Sequence, residues 1–232
     1  MAVGSEELTE IRRRYGRRLR FEQGDPYAWW RPDVLYTQLQ LDEKIMRLLG
    51  RAELRTFRNL TLLEIGCGTG QNLFRFLRWG FRPENLAANE LREEPFREAR
   101  GRLPAKVNLV PGDACKLDLP AFDIVYQSTV FSSILDRGTQ AELAGNMWRL
   151  LKPGGVILWY DLAIDNPRNQ DVRGISRSRI RELFPLGDWT GYRTTLAPPL
   201  GRRVASWKSL YLLLAACPFL RTHWLGTVRK RY

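Results

Sequence analysis

The sequence has only three cysteines and one histidine among its 232 residues. Cys67, Cys115 and Cys217 lie far apart, and none stands in a CxxC pair or near His223. An odd number of dispersed cysteines predicts neither a disulfide framework nor a zinc site. We therefore expect a protein that holds no metal ion.

Long apolar runs are also missing. No stretch approaches the roughly 20 uninterrupted apolar residues that span a bilayer, and the first ten residues lack the basic and then apolar layout of a signal peptide. We therefore expect a cytoplasmic location. With 44% hydrophobic residues, the length suits one main domain, which we predict over residues 59–232, preceded by a helical N-terminal extension or cap over residues 1–58.

Acidic residues are scarce toward the C-terminus, since none follows Asp188. The formal net charge is +12, and arginines crowd positions 12–20. Such charge predicts attraction to nucleic acid, anionic lipid or phosphorylated substrates. A basic surface that merely keeps the protein soluble accounts for the charge equally well.

Short apolar runs alternate with helical patterns along most of the chain, which predicts parallel βαβ units in an α/β, doubly wound fold. The predicted strands cover residues 60–65, 85–91, 107–110, 122–127, 156–160, 192–196 and 222–229. The predicted helices cover residues 33–49, 71–79, 93–103, 139–151, 177–184 and 205–216. We expect a turn at residues 152–155 and a polar loop at residues 163–176.

The strongest motif is Leu62-Leu63-Glu64-Ile65-Gly66-Cys67-Gly68-Thr69-Gly70, in which a carboxylate ends a buried strand and three glycines precede a helix. Glycine allows close approach of a ligand to the backbone and tolerates positive φ. Dinucleotide-binding proteins use GxGxxG to bind pyrophosphate, whereas residue 71 here is glutamine. Because Glu64 would repel a pyrophosphate and attract an ammonium group, the motif favours a phosphate-free aminoacyl ligand.

At this motif the sequence resembles the class I S-adenosylmethionine-dependent methyltransferases of the type 11 kind, whose first motif is an acidic residue followed by GxGxG. Three later segments resemble the family in the same order: Leu86-Ala87-Ala88-Asn89-Glu90-Leu91, Gly112-Asp113-Ala114 and Phe122-Asp123-Ile124-Val125-Tyr126-Gln127. The resemblance spans residues 60–161. It implies a Rossmann-like, mostly parallel seven-stranded sheet whose last strand is antiparallel.

The resemblance also implies which residues bind the cofactor, S-adenosylmethionine, and its product S-adenosylhomocysteine. Glu90, at the end of the second strand, would accept hydrogen bonds from the ribose hydroxyls, and Asp113 and the Ala114 amide would bind the adenine. Gln127 and Ser128 would line the methionine moiety and the mouth for methyl transfer. The full predicted set is Glu64, Gly66, Cys67, Gly68, Gly70, Asn72, Glu90, Leu91, Asp113, Ala114, Gln127 and Ser128.

The catalytic residues are not identified by the sequence, because a methyl group on a positive sulfur is already a strong electrophile. Asp161, at the end of the fifth strand, and His223, the only histidine, are candidate bases, and an ordinary structural role is an alternative for each. The segment 166–169 begins with Asn-Pro but lies after the fifth strand. It therefore does not match the motif after the fourth strand that holds target amines in nitrogen methyltransferases.

The tail after Asp161 resembles a bacterial group of methyltransferases encoded among glycan biosynthesis enzymes, which implies a sugar, glycan or other small-molecule acceptor, methylated at oxygen. Three alternatives remain open. The basic termini could bind RNA for its methylation, and residues 207–220 could lie on a membrane beside a lipid-linked substrate or be a core helix. The protein could also bind the cofactor without catalysis. The aromatic and basic residues Tyr15, Tyr27, Trp29 and Trp30, with the arginines of positions 12–20, are predicted to fold over the cofactor or acceptor.

Overall fold

The computed structural model describes residues 3–21, 28–167 and 169–231 and contains one seven-stranded sheet. Its strand order is β3-β2-β1-β4-β5-β7-β6. Strands β1 to β5 run parallel to one another, and β7 is antiparallel to both β5 and β6. This topology confirms the predicted fold class. The strands are β1 (Leu62–Ile65), β2 (Leu86–Glu90), β3 (Asn108–Pro111), β4 (Phe122–Ser128), β5 (Leu151–Leu162), β6 (Gly187–Leu196) and β7 (Arg221–Lys230).

Helices cover both faces of this sheet. They are α1 (Val3–Phe21), α2 (Pro32–Arg51), α3 (Gln71–Arg78), α4 (Glu93–Arg102), α5 (Arg137–Arg149), α6 (Arg177–Leu183), α7 (Pro198–Val204) and α8 (Lys208–Ala216). Helices α2, α3 and α4 share one apolar cluster, and α1, α5 and α6 share another. All four residues of β1 are buried, as expected of a parallel strand that is covered on both faces.

Two predicted elements differ from the structure. The segment 152–155 was predicted to be a turn but lies within β5, where Leu151 pairs with Phe122 and the register then shifts before Ile124. A bulge absorbs the Pro-Gly-Gly sequence, and Gly154 takes a φ of +76°. The single helix predicted over residues 205–216 was also wrong in extent. Two prolines begin a separate helix, α7, because proline is tolerated in the first helical turn, where its missing N–H has no partner to lose.

The parallel strands bring their carboxyl ends to one edge of the sheet. Ile65 ends β1, Glu90 ends β2 and Ser128 ends β4, and β1 lies between the other two. Ligands bind at this edge in doubly wound proteins, because the loops that leave neighbouring strands in opposite directions open a crevice there. The fold therefore gathers the motif residues in one place.

Phe76 of α3 is the centre of an aromatic cluster and is fully buried. Its ring meets Trp79, Phe81 and Tyr126 edge to face, at centroid distances of 5.4, 5.6 and 5.5 Å. We expect Phe76→Ala to lower the free energy of unfolding by about 3–5 kcal/mol, because the cavity left behind cannot close fully. Urea unfolding followed by circular dichroism measures this change.

Phe74→Ala is the matched control, since Phe74 lies on the same helix and is 36% exposed. A surface truncation of this kind costs about 0.5 kcal/mol. Equal losses in the two variants would contradict the assignment of Phe76 to the core.

Candidate functional site

The loop between β1 and α3 contains three glycines with positive φ. A Cβ atom at Gly66 would lie 2.8 Å from Val130 Cγ2, so this glycine is required by packing. Gly70 packs in a similar way against Leu103. A Cβ atom at Gly68 would meet nothing within 4 Å, which means that the loop is open at Gly68, next to the cavity that this residue lines. The backbone there is accessible to a ligand.

Glu64 lies beneath this loop with no exposed surface. One carboxylate oxygen, Oε1, accepts a hydrogen bond from Asn72 Nδ2 at 2.7 Å. The other, Oε2, is buried and accepts no hydrogen bond from the described residues. Burial raises the pKa of Glu64 to about 8, against the lowering effects of Asn72 and the Arg75 guanidinium. An incompletely partnered buried carboxylate favours a positive charge nearby.

Glu90 at the end of β2 is 5% exposed and faces the same loop. Its Oε2 accepts from the backbone N–H of Gly68 at 2.8 Å, and its Oε1 accepts from the N–H of Arg92 at 2.9 Å. Its neighbour Leu91 lines the cavity, and the Leu91 carbonyl accepts from Arg12 at 3.5 Å. The Glu90 carboxylate is thus fixed against the glycine loop.

Asp113 and Ala114 follow β3 and line the cavity as well. Asp113 Oδ1 accepts from the N–H of Cys115 at 2.9 Å, which orients the side chain at the start of a short 3-10 turn. The Ala114 carbonyl accepts from Asn146 of α5 at 2.7 Å. These bonds fix the two residues relative to the glycine loop.

The segment after β4 closes the floor of the cavity. Gln127 is fully buried, and its Oε1 accepts from the N–H of Val130 at 3.1 Å, so it supports the segment from behind. Ser128 and Thr129 line the cavity directly. Thr129 has a φ of +57°, a conformation that is strained for a β-branched residue, and its N–H donates to the Tyr160 carbonyl at 2.8 Å.

These segments enclose a cavity of about 1560 Å³. Helix α1 forms part of its wall through Ile11, Tyr15 and Arg17, and Trp29 contributes from the segment before α2. The Arg92 guanidinium lies 4.2 Å from the centroid of the Tyr15 ring. Tyr15, Arg17 and Trp29 thus line the cavity, as predicted for the N-terminal segment. Trp30 does not line it and is 83% exposed, and Tyr27 lies outside the described residues.

Asp161 and His223, the two candidate bases, do not line this cavity. Asp161 is fully buried, and its two oxygens accept from the N–H groups of Ser132 and Leu162. Burial raises the pKa of Asp161 to about 6 although these hydrogen bonds lower it. His223 stacks on Tyr160 with ring centroids 5.0 Å apart, and burial lowers its pKa to about 4. Each of the two side chains thus has structural contacts.

Arg75 and Asn89 line the cavity but were missed by the sequence analysis. Arg75 of α3 is 6% exposed, donates to Asp42 and Gln38 of α2, and donates to Asn72 Oδ1 at 3.2 Å. Asn89 Nδ2 donates to the Gly112 carbonyl at 2.9 Å. The i, i+3 spacing of Asn72 and Arg75 was the available signal, but an arginine on a helix usually faces solvent.

Comparison with known proteins gives one family model, described as a methyltransferase domain, that matches residues 62–155. A malonyl-[acyl-carrier protein] O-methyltransferase of Bacteroides fragilis (strain 638R) is 38% identical over 89 residues, which are 38% of this chain and 18% of that protein. The chain thus matches less than a fifth of the length of that curated relative.

Solved structures share the fold at low identity. An S-adenosylmethionine-dependent methyltransferase from Archaeoglobus fulgidus superposes with a TM-score of 0.57 at 16% identity, covering 82% of this chain and 94% of that chain. The [4+2]-cyclase SpnF superposes with a TM-score of 0.58 at 19% identity, covering 90% of this chain and 85% of that chain. These likenesses concern the fold, on which different reactions occur. Residues 62–155 thus match a methyltransferase domain, within a seven-stranded sheet that has the class I, Rossmann-like methyltransferase fold.

Proposed function

We propose that this chain transfers a methyl group from S-adenosylmethionine to an oxygen of a small-molecule or glycan acceptor. The observation that carries the proposal is the buried Glu64 oxygen that has no hydrogen-bond partner among the described residues, beneath a glycine loop that is open at Gly68. S-adenosylmethionine carries both an ammonium and a sulfonium group. A ligand with positive charge and no phosphate suits a carboxylate in this position.

Glu64 does not itself line the cavity, but acidic groups that do line it support the same ligand. Glu90 stands at the end of β2, where a carboxylate that already accepts from Gly68 and Arg92 keeps lone pairs for ribose hydroxyls. Asp113 and the Ala114 amide are the residues that would bind the adenine. Gly66, Cys67, Gly68, Gly70 and Asn72 would surround the aminoacyl end, with Leu91 beside the ribose and Gln127 and Ser128 beside the methionine.

The bound cofactor supplies a methyl group on a positively charged sulfur, which needs no further activation. The residues of the chain then have three tasks: to hold the two substrates in line, to exclude water and to accept a proton where the acceptor loses one. Ser128 and the strained Thr129 are suited to orienting an acceptor, because both line the cavity at the end of β4.

The size of the cavity and the name of one relative support the choice of acceptor. A cavity of about 1560 Å³ exceeds the roughly 300–1,000 Å³ typical of one small ligand, which leaves room for an acceptor beside the cofactor. The relative from Bacteroides fragilis is named an O-methyltransferase. Because neither Asp161 nor His223 lines the cavity, we infer that positioning is the main contribution of the chain, and we assign the acceptor's proton to neither of these two residues.

A role in RNA methylation finds less support, since Arg14 and Arg17 of α1 make contacts within the chain. Arg14 pairs with Glu7 and donates to the Ser133 carbonyl at 3.2 Å. Arg17 pairs with Asp171 at 2.5 Å. These two arginines form ion pairs within the protein and are therefore poorly placed to bind phosphates.

Isothermal titration with S-adenosylmethionine tests the first half of the proposal, with NAD and ATP as control ligands. We expect saturable binding of S-adenosylmethionine alone, because the phosphates of the controls would meet the carboxylates of Glu90 and Asp113, which line the cavity. Transfer of tritium from methyl-labelled cofactor to a panel of sugars, nucleotide sugars and carboxylic acids tests the second half. Binding of NAD in preference would contradict the proposal, and cofactor binding with no turnover on any acceptor class would favour a non-catalytic role.

Glu90→Ala should weaken binding of S-adenosylmethionine by about 1–3 kcal/mol, which is roughly 5- to 150-fold in Kd, because two charge-assisted hydrogen bonds are lost. Glu98→Ala is the control, since Glu98 is a carboxylate on the same cavity but pairs with Arg102 on the exposed face of α4. Melting temperatures of the two variants separate loss of binding from loss of folding. Unchanged affinity of a folded Glu90→Ala variant would remove Glu90 from the ribose site.

Binding of the cofactor should release a proton from Glu64 at about pH 6.5, because the empty site holds this group protonated and a nearby cation lowers its pKa. The ligand amine, with a pKa of about 7.7–8.0, is already charged there. The affinity of the wild type should therefore rise with pH up to about 8.

Calorimetry in two buffers of different ionisation enthalpy counts these protons. Glu64→Gln is the matched variant, because its amide keeps an acceptor for Asn72 but cannot ionise. An equal proton count in the wild type and this variant would show that Glu64 does not respond to the ligand.

A further inference from the structure

The C-terminal helix α8 has an apolar face that the chain leaves uncovered. Tyr211 and Ala215, one turn apart, are its buried residues. On the opposite side Leu213 is 70% exposed and Leu212 is 44% exposed. Large apolar side chains on a surface, grouped in this way, indicate an interaction site when they are rimmed by polar residues.

Aromatic residues stand at both ends of this face. Trp207 precedes α8 and is 64% exposed, and Phe219 follows it and is 90% exposed. We call Trp207, Leu210, Leu212, Leu213 and Phe219 the α8 surface. Aromatic side chains beside aliphatic ones are typical of helices that lie in the boundary between lipid headgroups and acyl chains.

The orientation of α8 is fixed from beneath. Tyr211 packs against Tyr36 of α2 with ring centroids 5.0 Å apart, and its hydroxyl lies 3.0 Å from Thr37 Oγ1. Arg221 donates to the carbonyls of Ala215 and Ala216 and so caps the end of the helix. The α8 surface therefore faces outward as part of the rigid fold. Helix α2 also lines the cavity through Gln38, so it joins this surface to the cavity wall.

The charged side chains of α7 and α8 are all positive. Arg202 and Arg203 lie in the last turn of α7 and are exposed, and Lys208 begins α8 and is also exposed. No acidic residue follows Asp188 in the sequence, so nothing on this segment neutralises them. Asp33 of α2, whose charge acts on Tyr211, pairs with Arg31. A cationic rim around exposed apolar side chains complements anionic lipid headgroups over acyl chains.

We propose that the α8 surface docks the protein onto an anionic lipid bilayer. Among the described residues, no helix is long and apolar enough to cross a membrane. The proposed contact is with the surface of the bilayer. The apolar and aromatic side chains enter the headgroup boundary, and Arg202, Arg203 and Lys208 meet the phosphates. The inference does not depend on the proposed function, because it concerns a surface and not the cavity.

Flotation of the full chain with lipid vesicles tests the docking. We expect binding to phosphatidylcholine vesicles that contain phosphatidylglycerol, and little binding to phosphatidylcholine alone. Leu213→Ser and Phe219→Ser, singly and together, should weaken binding, and the double variant should abolish it. Leu186→Ser is the matched control, since Leu186 is 76% exposed in the turn between α6 and β6.

The need for basic residues is tested with the double variant Arg202→Gln/Arg203→Gln. The control is the double variant Arg177→Gln/Arg181→Gln on α6, which changes the net charge by the same amount. Each basic side chain near an anionic surface strengthens binding about fivefold, so the first pair should lose about 25-fold and the second much less. Melting temperatures verify that the variants fold.

Three results would overturn the proposal. The first is no binding to anionic vesicles, and the second is equal loss in the matched controls. The third is a dimer in light scattering that Leu213→Ser dissociates, because the α8 surface would then be covered by a second copy of the chain.

Discussion

The burial of the Glu64 carboxylate is the constraint around which the site is built. A carboxylate without water needs hydrogen bonds or positive charge nearby, and here the only hydrogen bond to its side chain from the described residues comes from Asn72. Asn72 accepts in turn from Arg75, which pairs with Asp42. This chain of contacts links β1 to α3 and α3 to α2, so the position of the glycine loop is tied to the packing of one whole face of the sheet.

The opposite wall of the cavity depends on α1. Glu7 joins Arg14 of the same helix to the N–H of Leu135 after β4, and Arg17 pairs with Asp171 in the loop after β5. Ile11 adds apolar contact with the cluster under α5 and α6. Two of the N-terminal arginines that could attract a nucleic acid, Arg14 and Arg17, are therefore paired within the molecule. The cavity is closed by these contacts and not by the sheet alone.

Prediction of the strands and helices from the sequence was most accurate where local pattern and tertiary environment agree. The helix predicted over residues 71–79 and the strand over residues 122–127 match α3 and β4 within about a residue at each end. It was least accurate in the C-terminal third, where the sheet turns antiparallel. There β6 begins at Gly187, five residues before the prediction, because pairing with β7 sustains a strand that contains two glycines and an aspartate. Pairing overrides weak local propensity in such a strand.

The sequence by itself determined the alternation of strands and helices and the glycine loop that follows the acidic end of β1. It also determined which later segments lie beside that loop. Hydrophobic periodicity and glycine spacing are local signals, so they can be read from the sequence. Only the tertiary structure decided which polar side chains have hydrogen-bond partners within the protein and which apolar side chains face outward. It showed that one Glu64 oxygen has no hydrogen-bond partner in the described part of the chain, that Asp161 and His223 are held by structural contacts, and that α8 turns Leu212 and Leu213 outward. Burial and hydrogen-bond partners arise from contacts between residues far apart in the chain, and no single-sequence pattern encodes them.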